Sequence, residues 1–196
     1  MTHAGVLIGR YQPMHRSQFR TVRHALDRVD RLVIVVGSHD QARTIKNPWT
    51  SAERIEMVQA CLSPTELDRT RFVPLRDHLY NENRWVTDLQ QGVRAVPEVA
   101  DATRVTLFCS ENDASAGYGR LFPRWEIERV PEWERLSGSH VRMLYFTRDA
   151  AWRELVPCPV MDRMLAFEAT QTFRELDDEY HHIDDYRRAW DGAPFP

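Results

Sequence analysis

Long apolar runs are missing from this chain of 196 residues, and so are clusters of cysteines or of basic residues. No stretch approaches the roughly 20 apolar residues that cross a bilayer, and the start, MTHAGVLIGR, has too short an apolar run for a secretory signal. The three cysteines, Cys61, Cys109 and Cys158, are odd in number, far apart and never in C-x-x-C spacing, which argues against a disulfide framework or a zinc site. They read as small core residues of a reduced compartment. The expectation is a cytoplasmic protein with no membrane partner. The 26 Lys and Arg stand against 29 Asp and Glu, leaving a net charge of −3 and no long basic run, which makes nucleic acid a poor partner. Anions would have to be gripped by individually placed Arg, Lys and backbone N–H groups.

With 42% hydrophobic residues, the chain can bury one full core and is too short for two ordinary domains. The runs 5–9, 32–37, 72–75 and 105–109 are short, rich in Val, Ile and Leu, and not alternating, as expected of strands buried on both faces. Thr50 and Glu53 fit a capping box opening a helix over 51–62, and Trp85, Leu89 and Val93 fall on one face of the next. Strands alternating with helices imply an α/β fold: a parallel sheet with right-handed crossovers, covered on both sides. Beyond about Pro159 the pattern turns helical and increasingly acidic, and residues 192–196, GAPFP, have linker composition. The expected division is a main domain over 1–175 and a helix with a linker-like tail over 176–196. In such a sheet, ligands bind at the carboxyl ends of the strands where the strand order reverses.

The loop after the first run reads Gly9, Arg10, Tyr11, Gln12, Pro13, Met14, His15, Arg16, Ser17, Gln18. A glycine allowing close backbone approach, a cation, a fixed Pro and an imidazole ahead of a helix N-terminus could hold a polyphosphate without a general base. By local chemistry alone it is equally a plain strand-to-helix turn. The loop after the second run reads GSHDQARTIKNPWTSAER over 37–54, and residues 137–142 read SGSHVR.

Together with LRDHLYNENRW over 75–85 and LFPRW over 121–125, these segments resemble the nicotinamide-nucleotide adenylyltransferases. The similarity is strongest to the adenylyltransferase domain of bifunctional enzymes that also carry a Nudix domain. The resemblance implies a Rossmann-like nucleotidyltransferase fold with a five-stranded parallel sheet. It implies transfer of AMP from ATP, carried with Mg²⁺, to nicotinamide mononucleotide, giving NAD. Arg10, His15, Gln18 and Arg142 are then the expected catalytic residues, and Gly9, Arg10, His15, Ser137, Ser139 and Arg142 the ATP-binding ones. Ser38, Arg43, Lys46, Asp77, Asn81 and Trp85 are expected to bind the nicotinamide nucleotide, with Arg43 and Lys46 on its phosphate and Trp85 facing its ring. Without that resemblance Ser139 is equally a helix cap, and Trp85 equally a core aromatic. Residues 179–196 look like the connector into a Nudix domain, which would then follow. A homo-oligomer is compatible with the sequence.

Two departures from the family pattern bear on chemistry. Where the family has H-x-G-H, this chain has His15, Arg16, Ser17, Gln18, and where it has G-H-x-K-D, this chain has Cys109, Ser110, Glu111, Asn112, Asp113. Glutamine donates a hydrogen bond but carries no charge, so ground-state binding should survive better than transition-state stabilisation. Two other readings therefore stay open at this point: cleavage of NAD or a related dinucleotide at its pyrophosphate, and a catalytically silent NAD-binding module. His181, His182, Asp184 and Asp185 have metal-ligand residue types, but adjacent histidines on a helix point apart, and the segment reads as a solvated acidic helix.

Overall fold

Five short segments form one parallel sheet in the order β3-β2-β1-β4-β5: β1 His3–Gly9, β2 Arg31–Val36, β3 Thr70–Pro74, β4 Arg104–Ser110 and β5 Glu126–Val130. The computed structural model describes residues 2–110, 121–131 and 133–191, with side chains as far as Ile183. Four strands coincide with the apolar runs. The fifth has none, because β5 is an edge strand whose sequence, EIERV, is largely exposed. The helices are α1 Arg16–Leu26, α2 Ser51–Gln59, α3 Pro64–Asp68, α4 Glu82–Arg94, α5 Pro97–Ala100, α6 Gly138–Phe146, α7 Trp152–Leu155, α8 Cys158–Glu168 and α9 Gln171–Asp191.

Strand periodicity divides the core between the two faces of the sheet. Leu32, Ile34 and Val36 of β2 point into one cluster with Met57, Val58, Tyr145 and Phe146, whereas Val33 and Val35 point into another with Leu89, Val93 and Leu107. The capping box at Thr50 and Glu53 opens α2 as expected, but α2 ends at Gln59, not at 62. Ser63 and Glu66 form a second capping box with Pro64 at the first helical position, so residues 60–62 must turn between two helices.

The cysteine expectation needs correction. Cys109 is buried, Cys61 half-buried and Cys158 exposed, because Cys158 is the first residue of α8 and lies at the surface rather than in the core. Among the described residues, no helix is long and apolar enough to cross a membrane.

The helix α9 passes without a break through residues 175 and 176. Phe173 and Leu176 are buried, and the Phe146 ring stacks on Phe173 at 5.8 Å and on Tyr180 at 5.4 Å between centroids. Arg148 adds a cation over the Phe173 ring at 4.7 Å and an ion pair with Asp177 at 2.7 Å. The first half of α9 is thus packed as firmly as any other helix. Phe173→Ala should lower the unfolding free energy by about 3–5 kcal/mol in urea titration; a loss under about 1 kcal/mol would mean that α9 contributes little to the body.

Candidate active site

The strand order reverses between β1 and β4, so the carboxyl end of β1 is where a ligand fits between diverging loops. That end is held by Arg54. Its guanidinium is 1% exposed and donates to four backbone carbonyls: those of Thr50 at 3.2 Å, Gly37 at 2.8 Å, Ser38 at 3.0 Å, and Arg10. One planar cation thereby joins the loop after β1, the loop after β2 and the start of α2. Burial first, and then the nearby Arg10 charge, pull its pKa down to about 10, so it stays cationic at neutral pH. In the sequence Arg54 closes the motif over 37–54 with no role of its own. The available signal was an arginine on the apolar side of a helix, one position after the capping glutamate.

Three further groups gather around this clamp. Arg10 donates to the Lys46 carbonyl at 3.2 Å and to Asn47 Oδ1 at 3.0 Å, and its Nε is buried with no protein partner. Arg142 donates to the Gln12 carbonyl and, at 3.1 Å, to Ser139 Oγ; burial and the Arg10 charge lower its pKa to about 10. Mutually repelling guanidinium groups in a partly dry site are what an anion would relieve. Gly138 lets the start of α6 approach the phosphate-loop candidate, for a Cβ there would lie 2.9 Å from the Gln12 carbonyl.

His15 is not a cation. It caps α1, with Nδ1 accepting the Gln18 N–H at 3.3 Å, and burial pushes its pKa down to about 4. The neutral ring therefore keeps its proton on Nε2 as a hydrogen-bond donor. Gln18 completes the capping box through Oε1, which accepts from the His15 N–H at 3.4 Å. The imidazole is thus held by the backbone N–H of residue 18, and the Gln18 side chain reaches only the His15 backbone. The glycine expectation also changes in reason: a Cβ at Gly9 would lie 2.9 Å from the Tyr11 ring, so Gly9 makes room for a buried tyrosine.

The other candidate residues fall into two places. Ser137 caps α6 by accepting the His140 N–H at 3.1 Å, and the cap position is Ser137 rather than Ser139. Lys46 is exposed and lines a cavity of about 570 Å³ together with Ser139 and Arg142. Arg43 instead pairs with Glu53 and the Pro48 carbonyl, both at 2.8 Å, and lies over the Phe167 ring at 5.7 Å, so it holds its own loop. At the Arg54 hub, Ser38 donates through Oγ to Asp77 at 2.7 Å and through its N–H at 3.3 Å. Asn81 caps α4 by accepting the Arg84 N–H at 3.0 Å, and Trp85 is half-buried, 6.5 Å from the Phe122 ring. Of the second departure from the family pattern, Cys109 and Ser110 end β4, whereas Glu111, Asn112 and Asp113 lie outside the described residues.

Residues 6–144 match the pattern of the cytidylyltransferase-like family. A nicotinamide/nicotinic acid mononucleotide adenylyltransferase from Acinetobacter baylyi is 30% identical over 182 residues, covering 91% of this chain and 94% of that protein. A nicotinamide-nucleotide adenylyltransferase from Thermococcus kodakarensis is 35% identical over 178 residues, 90% of this chain and 89% of that one. This chain belongs to the nicotinamide-nucleotide adenylyltransferase family. In fold it is similar to a bifunctional NMN adenylyltransferase/ADP ribose pyrophosphatase from Francisella tularensis, crystallised with AMP and a manganese ion, with a TM-score of 0.84 and 24% identity. The match covers all of this chain and 57% of that longer one.

Within this adenylyltransferase, no group of three or more His, Cys, Asp or Glu among the described residues could hold a metal ion. His181 pairs with Asp177 at 3.7 Å and His182 is exposed.

Two outcomes follow for the adenylyltransferase. Removing the Arg54 guanidinium leaves buried carbonyls unpaired, so Arg54→Met should lower the unfolding free energy by at least about 3 kcal/mol, read by chemical denaturation. Because the folded-state pKa of His15 lies below its unfolded value of 6.5, the unfolded chain takes up that proton first as pH falls. The stability linked to neutral His15, about 3 kcal/mol, is therefore complete above pH 6.5 and lost between pH 6.5 and 4. His15→Asn keeps a capping side chain and should flatten that part of the stability–pH curve; an unchanged slope would show that His15 is not the group responsible.

Proposed function

We propose that this chain transfers AMP from ATP to nicotinamide mononucleotide, giving NAD and pyrophosphate. The observation that carries the reading is the gathering of Arg10, Arg142 and a neutral, capped His15 at the carboxyl end of β1. The 5′-phosphate is already an anion and the leaving group travels with Mg²⁺ on ATP, so the protein has mainly to align the groups and neutralise developing charge. The Arg142 guanidinium remains cationic at neutral pH, and the unpartnered Arg10 Nε–H offers a donor to a phosphate oxygen. His15 adds a second donor through Nε2. The names of the Acinetobacter baylyi and Thermococcus kodakarensis relatives, both nucleotide adenylyltransferases, support the same reading.

Ser139, with Ser137 at the cap, and the N–H groups opening α6 would take the triphosphate. Lys46, open in the same cavity, is better suited to that triphosphate than to the mononucleotide. The nicotinamide ring would lie on the Ser38, Asp77, Asn81 side against Trp85, where a carboxylate favours the cationic amide-bearing ring over an acidic one. We place the reaction in the cytoplasm, on the sequence reading of the cysteines and the missing apolar runs.

Purified chain mixed with ATP, Mg²⁺ and nicotinamide mononucleotide should form NAD in an enzymatic cycling assay. No product above a boiled control at high enzyme concentration would end this reading. Trp85→Ala should raise the Kd for nicotinamide mononucleotide roughly 5- to 30-fold and leave ATP binding almost untouched. Unchanged nicotinamide binding in that variant would make Trp85 a core residue only.

A further inference from the structure

The cavity of about 570 Å³ that holds Lys46, Ser139 and Arg142 is also lined by Met143 and, from α9, by Tyr180 and Ile183. Tyr180 packs with the core on the α6 side of the sheet, whereas Trp85 packs with the core on the other side. The cavity is therefore separate from the nicotinamide side. Arg142 links it to the reacting centre, because the same guanidinium that lines it donates to the Gln12 carbonyl in the loop after β1. Tyr180 cannot wander from the cavity: its ring stacks on Phe146 at 5.4 Å and 17°, and Phe146 follows Arg142 by one helical turn. Ile183, one turn further along α9, adds an apolar edge beside the polar groups.

We infer that Tyr180 binds the leaving pyrophosphate and that α9 forms a wall of its site, an inference that rests on the AMP-transfer reading above. An oxygen of the mononucleotide phosphate bonds to the α-phosphorus as the bond from that phosphorus to its bridging oxygen breaks, and the electron pair departs with pyrophosphate. No proton has to move. The Tyr180 phenol donates to an oxygen of that leaving group beside Lys46, Ser139 and Arg142, while Met143 and Ile183 limit water at the edge.

The test uses the full chain with magnesium pyrophosphate as the probe, titrated by calorimetry into wild type, Tyr180→Phe and Tyr180→Ala. Tyr180→Phe keeps the ring on Phe146 and should melt with the wild type, yet bind magnesium pyrophosphate about three- to tenfold more weakly and relieve its product inhibition to match. Its affinity for nicotinamide mononucleotide should stay within about twofold of wild type. Tyr180→Ala should lose at least as much pyrophosphate affinity. Equal pyrophosphate binding by wild type and Tyr180→Phe, or none by the wild type, would overturn the inference whether or not NAD is formed. Absence of NAD formation with the Tyr180→Phe binding difference intact would instead fault the AMP-transfer reading alone.

Discussion

The site depends on a buried guanidinium that touches no substrate. Arg54 takes up the carbonyls at the ends of two adjacent strands and at the start of α2, groups that have no partner in the sheet once the strands stop. Desolvating a cation is unfavourable, and here the loss is offset by four oxygen acceptors and by the charges of Asp77 and Glu53. The consequence is geometric. Loops that would otherwise be independent share one hub, so Arg10, Ser38 and the capped α2 keep fixed relative positions without ligand.

Around that hub the charges are separated by task. Arg54 donates to four backbone carbonyls and holds the frame, and Arg43 is paired with Glu53 and the Pro48 carbonyl and holds its own loop. Arg10, Arg142 and Lys46 keep donors for an anion. His15 contributes a directed N–H without charge, because burial removes the proton that an exposed imidazole would gain in mild acid. Gln18 closes the capping box through a side chain that carries no charge.

The two core clusters give the candidate residues different supports. Trp85 packs with the cluster that holds the apolar face of α4, whereas Arg142 and Ser139 stand on α6, which is braced through the rings of Tyr145, Phe146 and Phe173. Truncating the body at residue 175 would cut α9 between Phe173 and Leu176, both of them core residues. The acidic composition of the distal part of α9 conceals this, because its buried face is carried by a few residues at helical spacing.

The parallel sheet was legible from four apolar runs, since strands covered on both faces need continuous Val, Ile and Leu. The Thr50–Glu53 cap was legible from spacing alone, as a local interaction within one turn. The long loop motifs carried the family and with it the location of Arg10, His15 and Arg142. The edge strand β5, the end of α2 and the exposure of Cys158 were not legible, because each depends on what packs beside it. Tertiary structure alone decided that Arg54 is the hub, that His15 is neutral, that Arg43 is committed to Glu53, and that Tyr180 lines one cavity with Arg142 and with Lys46, the last more than a hundred residues earlier in the chain. The reason is physical: sequence records which groups can donate, accept or carry charge, while burial and distance, set only when remote segments meet, determine which of them do.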